Sequence, residues 1–288
     1  MIDRYHLRYF LAVIDHGNFS RAADACNVSQ PTLSVGVAKL EKTLGQPLFR
    51  RSNRRVELTQ AGTLLAEQAR RIEAGFLAAE RIVGDSTSAE TIRLGVLGTV
   101  APGWIERLLR AHRLSGGERL ELYEGREREL SDRLASGRID VALTIVRAGI
   151  GPHDAVAEEG YAMALPAFHP LAGRASVAAE ELASEAMIVR RHCEVLADTS
   201  RHFTARGVRP FFAARTANDE RALRYVREGL GVTLVPESFA GDGMACPRLD
   251  GFDLTRTLGL VYAPHRDAAA LRGSALVRAV EGLSQSPG

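Results

Sequence analysis

The chain has 288 residues, enough for about two domains at roughly 150 residues each, and its 45% hydrophobic and 25% charged residues match an ordinary globular protein rather than a disordered one. No apolar run reaches the roughly 18 residues of a membrane span, and the opening MIDRYHLRYF lacks the apolar core of a secretory leader, so the expected address is the cytoplasm and no membrane partner is expected. Cys26, Cys193 and Cys246 are too few and scattered for a disulfide framework or a closed zinc site, and the net charge of +2 hides an N-terminal excess, nine Lys/Arg against five Asp/Glu in residues 1–60.

That basic excess, densest at Arg50, Arg51, Arg54 and Arg55, points to a polyanion partner, because lysines and arginines gain by displacing counterions from phosphates. A solvated charged loop is the plainer reading of the same residues. Leu7, Phe10, Leu11 and Ile14 recur at helical spacing, with Gly17 placed to end the helix. A second, alanine-rich helix follows, capped by Asn18 or Ser20, with Phe19, Ala22, Ala23 and Cys26 inward. Ser29 then caps a third helix that tolerates Pro31 in its first turn and turns Leu33, Val37, Leu40 and Leu44 inward. Its outer face carries Gln30, Thr32, Ser34, Val35 and Ala38, small and polar side chains that allow close approach of a partner.

Residues Phe49 to Leu58 read as a small β-wing, and from Thr59 a helical pattern runs for about 28 residues, roughly 42 Å. Leu65, Gln68, Ile72, Phe76, Ala79 and Val83 form a coiled-coil-like seam, weakened by Gln68 and Gly75, that implies a partner helix. Gly84 to Ser88 reads as a linker. Beyond it, strand-like runs (Ile92–Leu97, Leu120–Tyr123, Val141–Ile145, Ala186–Val189, Phe211–Arg215, Val232–Val235, Leu258–Tyr262) alternate with helical ones, which predicts βα units on a parallel sheet and a last helix from Ala268 to Gly282.

Two short helices, the second with a polar face, followed by a basic wing, are the parts of a winged helix-turn-helix. Ser20 with Ala22-Ala23, Ser29-Gln30-Pro31-Thr32-Leu33-Ser34, Leu40-Glu41, Leu44-Gly45, Pro47-Leu48-Phe49 and Leu58-Thr59 with Ala61-Gly62 together resemble the N-terminus of a LysR-type transcriptional regulator. The resemblance implies an all-α winged helix-turn-helix over 1–58, a linker and dimerisation helix with hinge over 59–88, and an α/β effector domain over 89–288. That domain would have two subdomains resembling periplasmic binding proteins, one about 92–159 with 263–288 and the other about 160–262. It implies double-stranded promoter DNA, a homodimer or homotetramer, and RNA polymerase as partners, with no cofactor. Residues matching Ser29, Gln30, Pro31, Thr32, Ser34, Val35 and Lys39 would meet DNA along the third helix, Arg51 a phosphate, and Arg54 and Arg55 would lie in the wing. Val35, Gly36 and Ala38 depart from the longer polar side chains of many members, which shifts readout toward methyl contacts, wing arginines and DNA shape.

Ligands of open α/β sheets bind at the carboxyl ends of strands, which places Thr99, Val100, Thr144 and Arg147 at an effector crevice, although Thr99 also reads as a simple helix cap. His192-Cys193 follows a strand, and the adjacent Arg190-Arg191 would favour a thiolate. Gly95-Val96-Leu97-Gly98-Thr99-Val100-Ala101-Pro102 and His192-Cys193 are similar to the peroxide-sensing OxyR branch. In that comparison a resolving cysteine would fall near His202 and a pocket threonine is replaced by Glu127, so an intramolecular disulfide is not expected. Glu127, His192, Cys193 and His202 are placed with the expected effector-binding residues, Cys193 being either a redox candidate or an inert pocket wall, and the effector is either a small molecule or an oxidant. A cysteine-dependent enzyme is the rival of another class. It lacks an orienting third residue, and neighbours in an extended segment point apart, so no catalytic residue is assigned. The segment Gly229 to Leu234 lacks the third glycine of a dinucleotide fingerprint, and His192, Cys193 and His202 lack metal-ligand spacing.

Overall fold

The computed structural model describes residues 1–51, 56–84, 91–241 and 243–282, which pack as two units. In the first, α1 (Arg4–His16), α2 (Phe19–Ala25) and α3 (Gln30–Leu44) precede an antiparallel ribbon of β1 (Phe49–Arg51) and β2 (Val56–Leu58), and α4 (Gln60–Gly84) follows. The boundaries come from local chemistry. Asn18 accepts from the Ser20 N–H (2.7 Å), Ser29 Oγ accepts from the Thr32 N–H (3.3 Å), and Gly17 and Gly45 close α1 and α3 in the left-handed conformation. Leu7, Phe10, Val13, Ala22, Leu33, Val37 and Leu40 form the core, joined by Leu48 and Phe49 of the wing. Glu41 fixes the entry to that wing by accepting from the Leu48 and Phe49 N–H groups (2.7 and 3.3 Å).

On α4 the inward residues are Ala66, Ala69 and Ala74, whereas Gln68, Ile72, Phe76 and Ala79 of the expected seam lie on the exposed side and Leu65 is half-buried. The side chain of Val83, and the linker residues 85–88, lie outside the described residues. Arg4 joins α1 to α4 through two hydrogen bonds to Glu73 (both 3.0 Å), and its guanidinium stacks on Phe76.

In the second unit β3 (Thr91–Leu97), α5 (Pro102–Ser115), β4 (Arg119–Gly125), α6 (Glu127–Ala135, of which the residues from Asp132 group with the first unit), β5 (Val141–Ile145) and β6 (His153–Glu159) supply the first sheet and its helices. There follow β7 (Tyr161–Pro166), β8 (Ser176–Val177), β9 (Ala186–Arg190), α7 (Leu196–Ala205), β10 (Phe211–Thr216), α8 (Asp219–Arg227), β11 (Thr233–Pro236), β12 (Met244–Ala245) and β13 (Arg248–Leu249). β14 (Arg256–Tyr262), α9 (Ala268–Arg272) and α10 (Ala275–Glu281) complete the chain. The first sheet has the order β4-β3-β5-β14-β6; the other strands form the second subdomain, with β11-β7-β13-β8 in one sheet and β9 parallel to β10.

Three expectations are corrected. The sheets are mixed rather than parallel, because β14 runs antiparallel to β5 and β6, and β7 antiparallel to β11. β14 belongs to the first sheet, so the chain re-enters that subdomain at Arg256 rather than at residue 263. The last helix breaks at Gly273-Ser274, where Ser274 Oγ caps a new helix by accepting from the Val277 N–H (3.2 Å).

Candidate effector cleft and nucleic-acid interface

On α3, Ser29, Gln30, Pro31, Thr32, Val35 and Lys39 are exposed and Ser34 is half-exposed, all opposite the buried Leu33, Val37 and Leu40. A helix whose apolar stripe is fully engaged behind it presents these side chains rigidly, as groove insertion requires. Arg51 ends β1, whereas Arg54 and Arg55 lie outside the described residues.

In the second unit a cleft of about 800 Å³ opens at the carboxyl ends of β3, β4 and β9. One wall is Gly98, Thr99, Val100 and the start of α6, including Glu127; the other is Arg191, His192, Glu194 and the start of α8, including Asp219. Thr99, Val100, Glu127 and His192 all line this one cleft. Arg147 stands beside it, donating from Nε and Nη2 to the two carboxylate oxygens of Glu127 (2.9 Å for the Nη2 bond).

Other assignments are corrected. Thr144 is buried within β5, opposite Gly259, and does not line the cleft. His202 packs on α7 against Phe203, Phe252 and Arg206, within a different depression from the cleft. Thr99 caps no helix: α5 starts at Pro102 after Ala101, and the Thr99 hydroxyl accepts from Arg256 Nη1 at 3.0 Å. Cys193 faces away from His192, into a second, apolar cavity of about 980 Å³ bounded by β9, α7 and β10. Burial pushes its thiol pKa up, Arg190 only partly opposing this and Glu194 adding to it, so the setting does not favour a thiolate. The neighbouring arginine is already committed, since Arg190 is buried, donates to the Leu234 carbonyl (2.9 Å) and pairs with Asp219. In mass-mapped alkylation, Cys193 is therefore expected to reach half-maximal rate at higher pH in the folded protein than in the urea-unfolded chain. A lower pH in the folded protein would contradict this environment.

Sequence reasoning missed the group beneath the cleft. Arg256 opens β14 with its side chain buried, and all five of its N–H donors are used. Nε and Nη2 donate to Glu159 Oε1 (2.9 and 2.7 Å), Nη2 to the Thr99 carbonyl (2.9 Å), and Nη1 to the Thr99 hydroxyl and to Glu194 Oε1. Glu194 Oε1 also accepts from Tyr161 Oη (2.9 Å), and Glu159 Oε2 accepts from the Ser238 N–H (2.8 Å). Burial raises the Glu194 pKa, but Arg256 and these hydrogen bonds outweigh it and hold the carboxyl below its ordinary value. One guanidinium thus ties the ends of β3 and β6 to the loop after β9, spanning both subdomains. On the wall above it, Asp219 Oδ1, Glu194 Oε2 and His192 Nε2 are buried without a hydrogen-bond partner among the described residues.

A helix-turn-helix with a wing and a long helix, followed by a two-subdomain α/β unit with a cleft, is the architecture of a DNA-binding regulator. The chain belongs to the LysR family: residues 5–63 match the bacterial regulatory helix-turn-helix protein, lysR family, and residues 85–280 match the LysR substrate binding domain. It is 32% identical over 281 residues to the hydrogen peroxide-inducible genes activator of Pectobacterium carotovorum subsp. carotovorum, covering 93% of this chain and 91% of that one. It is also 32% identical over 280 residues to the DNA-binding transcriptional dual regulator OxyR of Escherichia coli (strain K12), covering 90% and 88%. Among solved structures it shares the fold of full-length OxyR from Pseudomonas aeruginosa, with a TM-score of 0.56, 24% identity and 98% of both chains covered. It is a transcriptional regulator, not an enzyme.

Proposed function

We propose that this regulator reads double-stranded promoter DNA through Ser29, Gln30, Pro31, Thr32, Ser34, Val35, Lys39 and the wing arginines Arg51, Arg54 and Arg55, and that a small polar effector in the cleft adjusts those contacts. The observation that carries the effector reading is the set of three unpartnered buried polar atoms, Asp219 Oδ1, Glu194 Oε2 and His192 Nε2, on one cleft wall. Such atoms are uncommon in folded proteins and are met by a ligand or water. Two carboxylate acceptors beside an imidazole suit a molecule that donates hydrogen bonds, with Thr99, Val100, Glu127 and Arg147 at the opposite side. Domains at 1–58, 59–88 and 89–288, a homodimer or homotetramer joined through the exposed Ile72 and Phe76 seam, RNA polymerase as a further partner and a cytoplasmic address complete the proposal. The test begins with duplexes enriched from a random library by the full-length protein. Gln30→Ala is expected to weaken the selected duplex by about 1–3 kcal/mol, as for loss of an amide reading a base edge, while non-selected DNA is bound as before; equal affinity of both proteins for the selected duplex would remove Gln30 from the reading face.

A second reading, peroxide sensing at Cys193, is favoured by the relatives named as peroxide-inducible activators and by the His192-Cys193 sequence. With no cysteine at position 202, this reading requires a one-cysteine or intersubunit product. The raised thiol pKa favours the small-molecule reading.

A further inference from the structure

We infer that the first turns of α1 form a second DNA-contacting wall beside the recognition helix, with Tyr5 hydrogen-bonding a backbone phosphate; this rests on the DNA-binding reading of α3. Thr32, Val35, Gly36 and Lys39 follow one another at i, i+3, i+4 and i+7, so they share a stripe of α3. Across a groove of about 530 Å³ that stripe faces Tyr5, His6 and Tyr9 of α1. The close approach depends on Gly36: a methyl group there would come within 2.6 Å of Tyr9 Cδ2 and 3.1 Å of His6 Cδ2. The aromatic rings of α1 therefore occupy space that a side chain on α3 would otherwise fill, and Val35, Gly36 and Ala38 contribute no long polar group of their own. Tyr5 is 62% exposed and Val35 54% exposed at the groove, and Lys39 lies exposed at its end.

With α3 seated in a major groove about 12 Å wide, a stripe running from Thr32 to Lys39 passes from base edges toward the phosphate wall. Lysine and tyrosine are both common phosphate partners, one by charge and the other by a neutral O–H donor. Asp3 also borders the groove, but its carboxylate accepts the Tyr5 N–H at 2.7 Å as the α1 cap. The chemistry therefore assigns Lys39 the counterion-releasing contact and Tyr5 the adjacent neutral one.

The experiment uses the full-length protein and the duplex it selects. Tyr5→Phe and Tyr5→Ala are expected to weaken that duplex roughly ten- to hundredfold, the loss of one hydrogen bond to a charged acceptor. The dependence of affinity on salt should be unchanged, whereas Lys39→Ala should lower the salt slope by about one. Ethylation interference should lose one phosphate in the Tyr5 variants. Wild-type affinity and an unaltered interference pattern in both Tyr5 variants would overturn the inference while leaving the recognition helix in place. Failure of the wild-type protein to select any duplex would overturn the DNA reading and, with it, this inference.

Discussion

Arg256→Met is expected to cost about 3–5 kcal/mol of folding stability, because it leaves buried carboxylates without their counter-charge. The side chains of Glu159 and Glu194 are 8% and 11% exposed, so water cannot replace the guanidinium that now serves both. Methionine matches much of the arginine's volume, which separates the lost hydrogen bonds from a packing defect. The effect carries a pH signature through Glu194. In the folded wild type its pKa lies below the unfolded value of about 4.3, so its contribution is complete above that pH and is lost as pH falls through the folded value. Without Arg256 the remaining influence of burial pushes the carboxyl up, and protonation then relieves the variant as the medium is acidified. Urea unfolding at pH 7.5 and pH 4.5 should show the gap between the two proteins narrowing at the lower pH. A gap below about 1 kcal/mol at pH 7.5, the level of an exposed pair, would show that this network holds little together.

Position in the sequence explains why that group escaped notice while the DNA-binding helices did not. The caps at Asn18 and Ser29, the glycines at 17 and 45 and the stripe from Leu33 to Leu40 obey rules that act within one or two turns. Arg256 meets Glu194, Glu159 and Thr99 across 62, 97 and 157 residues, a coincidence that no periodicity encodes. The β7 run Tyr161–Pro166 is fully buried, yet its Ala, Met and Pro have weak strand preference, so its composition does not mark it as a strand. Strand position alone does not distinguish Thr144 from its neighbour: Ile145, one residue on, lines the cleft, as the alternation of a strand allows. Likewise His202 shares a helix with residues lining the Cys193 cavity but points to the Phe252 side, which spacing from Cys193 does not reveal.

The ordered approach of the wing to α4 yields the other large effect, through Gly62. A Cβ at this position would lie 2.2 Å from the Leu48 carbonyl oxygen and 2.9 Å from Leu58 Cδ2. The obstacle is backbone, held in turn by the Thr59 N–H on the Leu48 carbonyl (3.0 Å), Thr59 Oγ1 on the Pro47 carbonyl (2.7 Å) and Glu41 on the Leu48 N–H. Gly62→Ala therefore has to separate the start of α4 from the strand that leads into the wing, at an expected cost of about 3 kcal/mol, the upper range for overpacking. Because Leu48 and Phe49 belong to the same core as Leu33 and Leu40, the displacement shifts the wing relative to the recognition helix, and affinity for a selected duplex should fall at least about tenfold. Gly75→Ala is the matched control on the same helix. No heavy atom lies within 4 Å of a Cβ at that position, so only the helix preference of alanine over glycine acts, and thermal stability should rise by about 0.5–1 kcal/mol. Opposite signs for the two substitutions in parallel melts, with DNA binding lost only at position 62, would establish that the seat of the wing on α4 governs recognition. Equal behaviour of the two variants would contradict it.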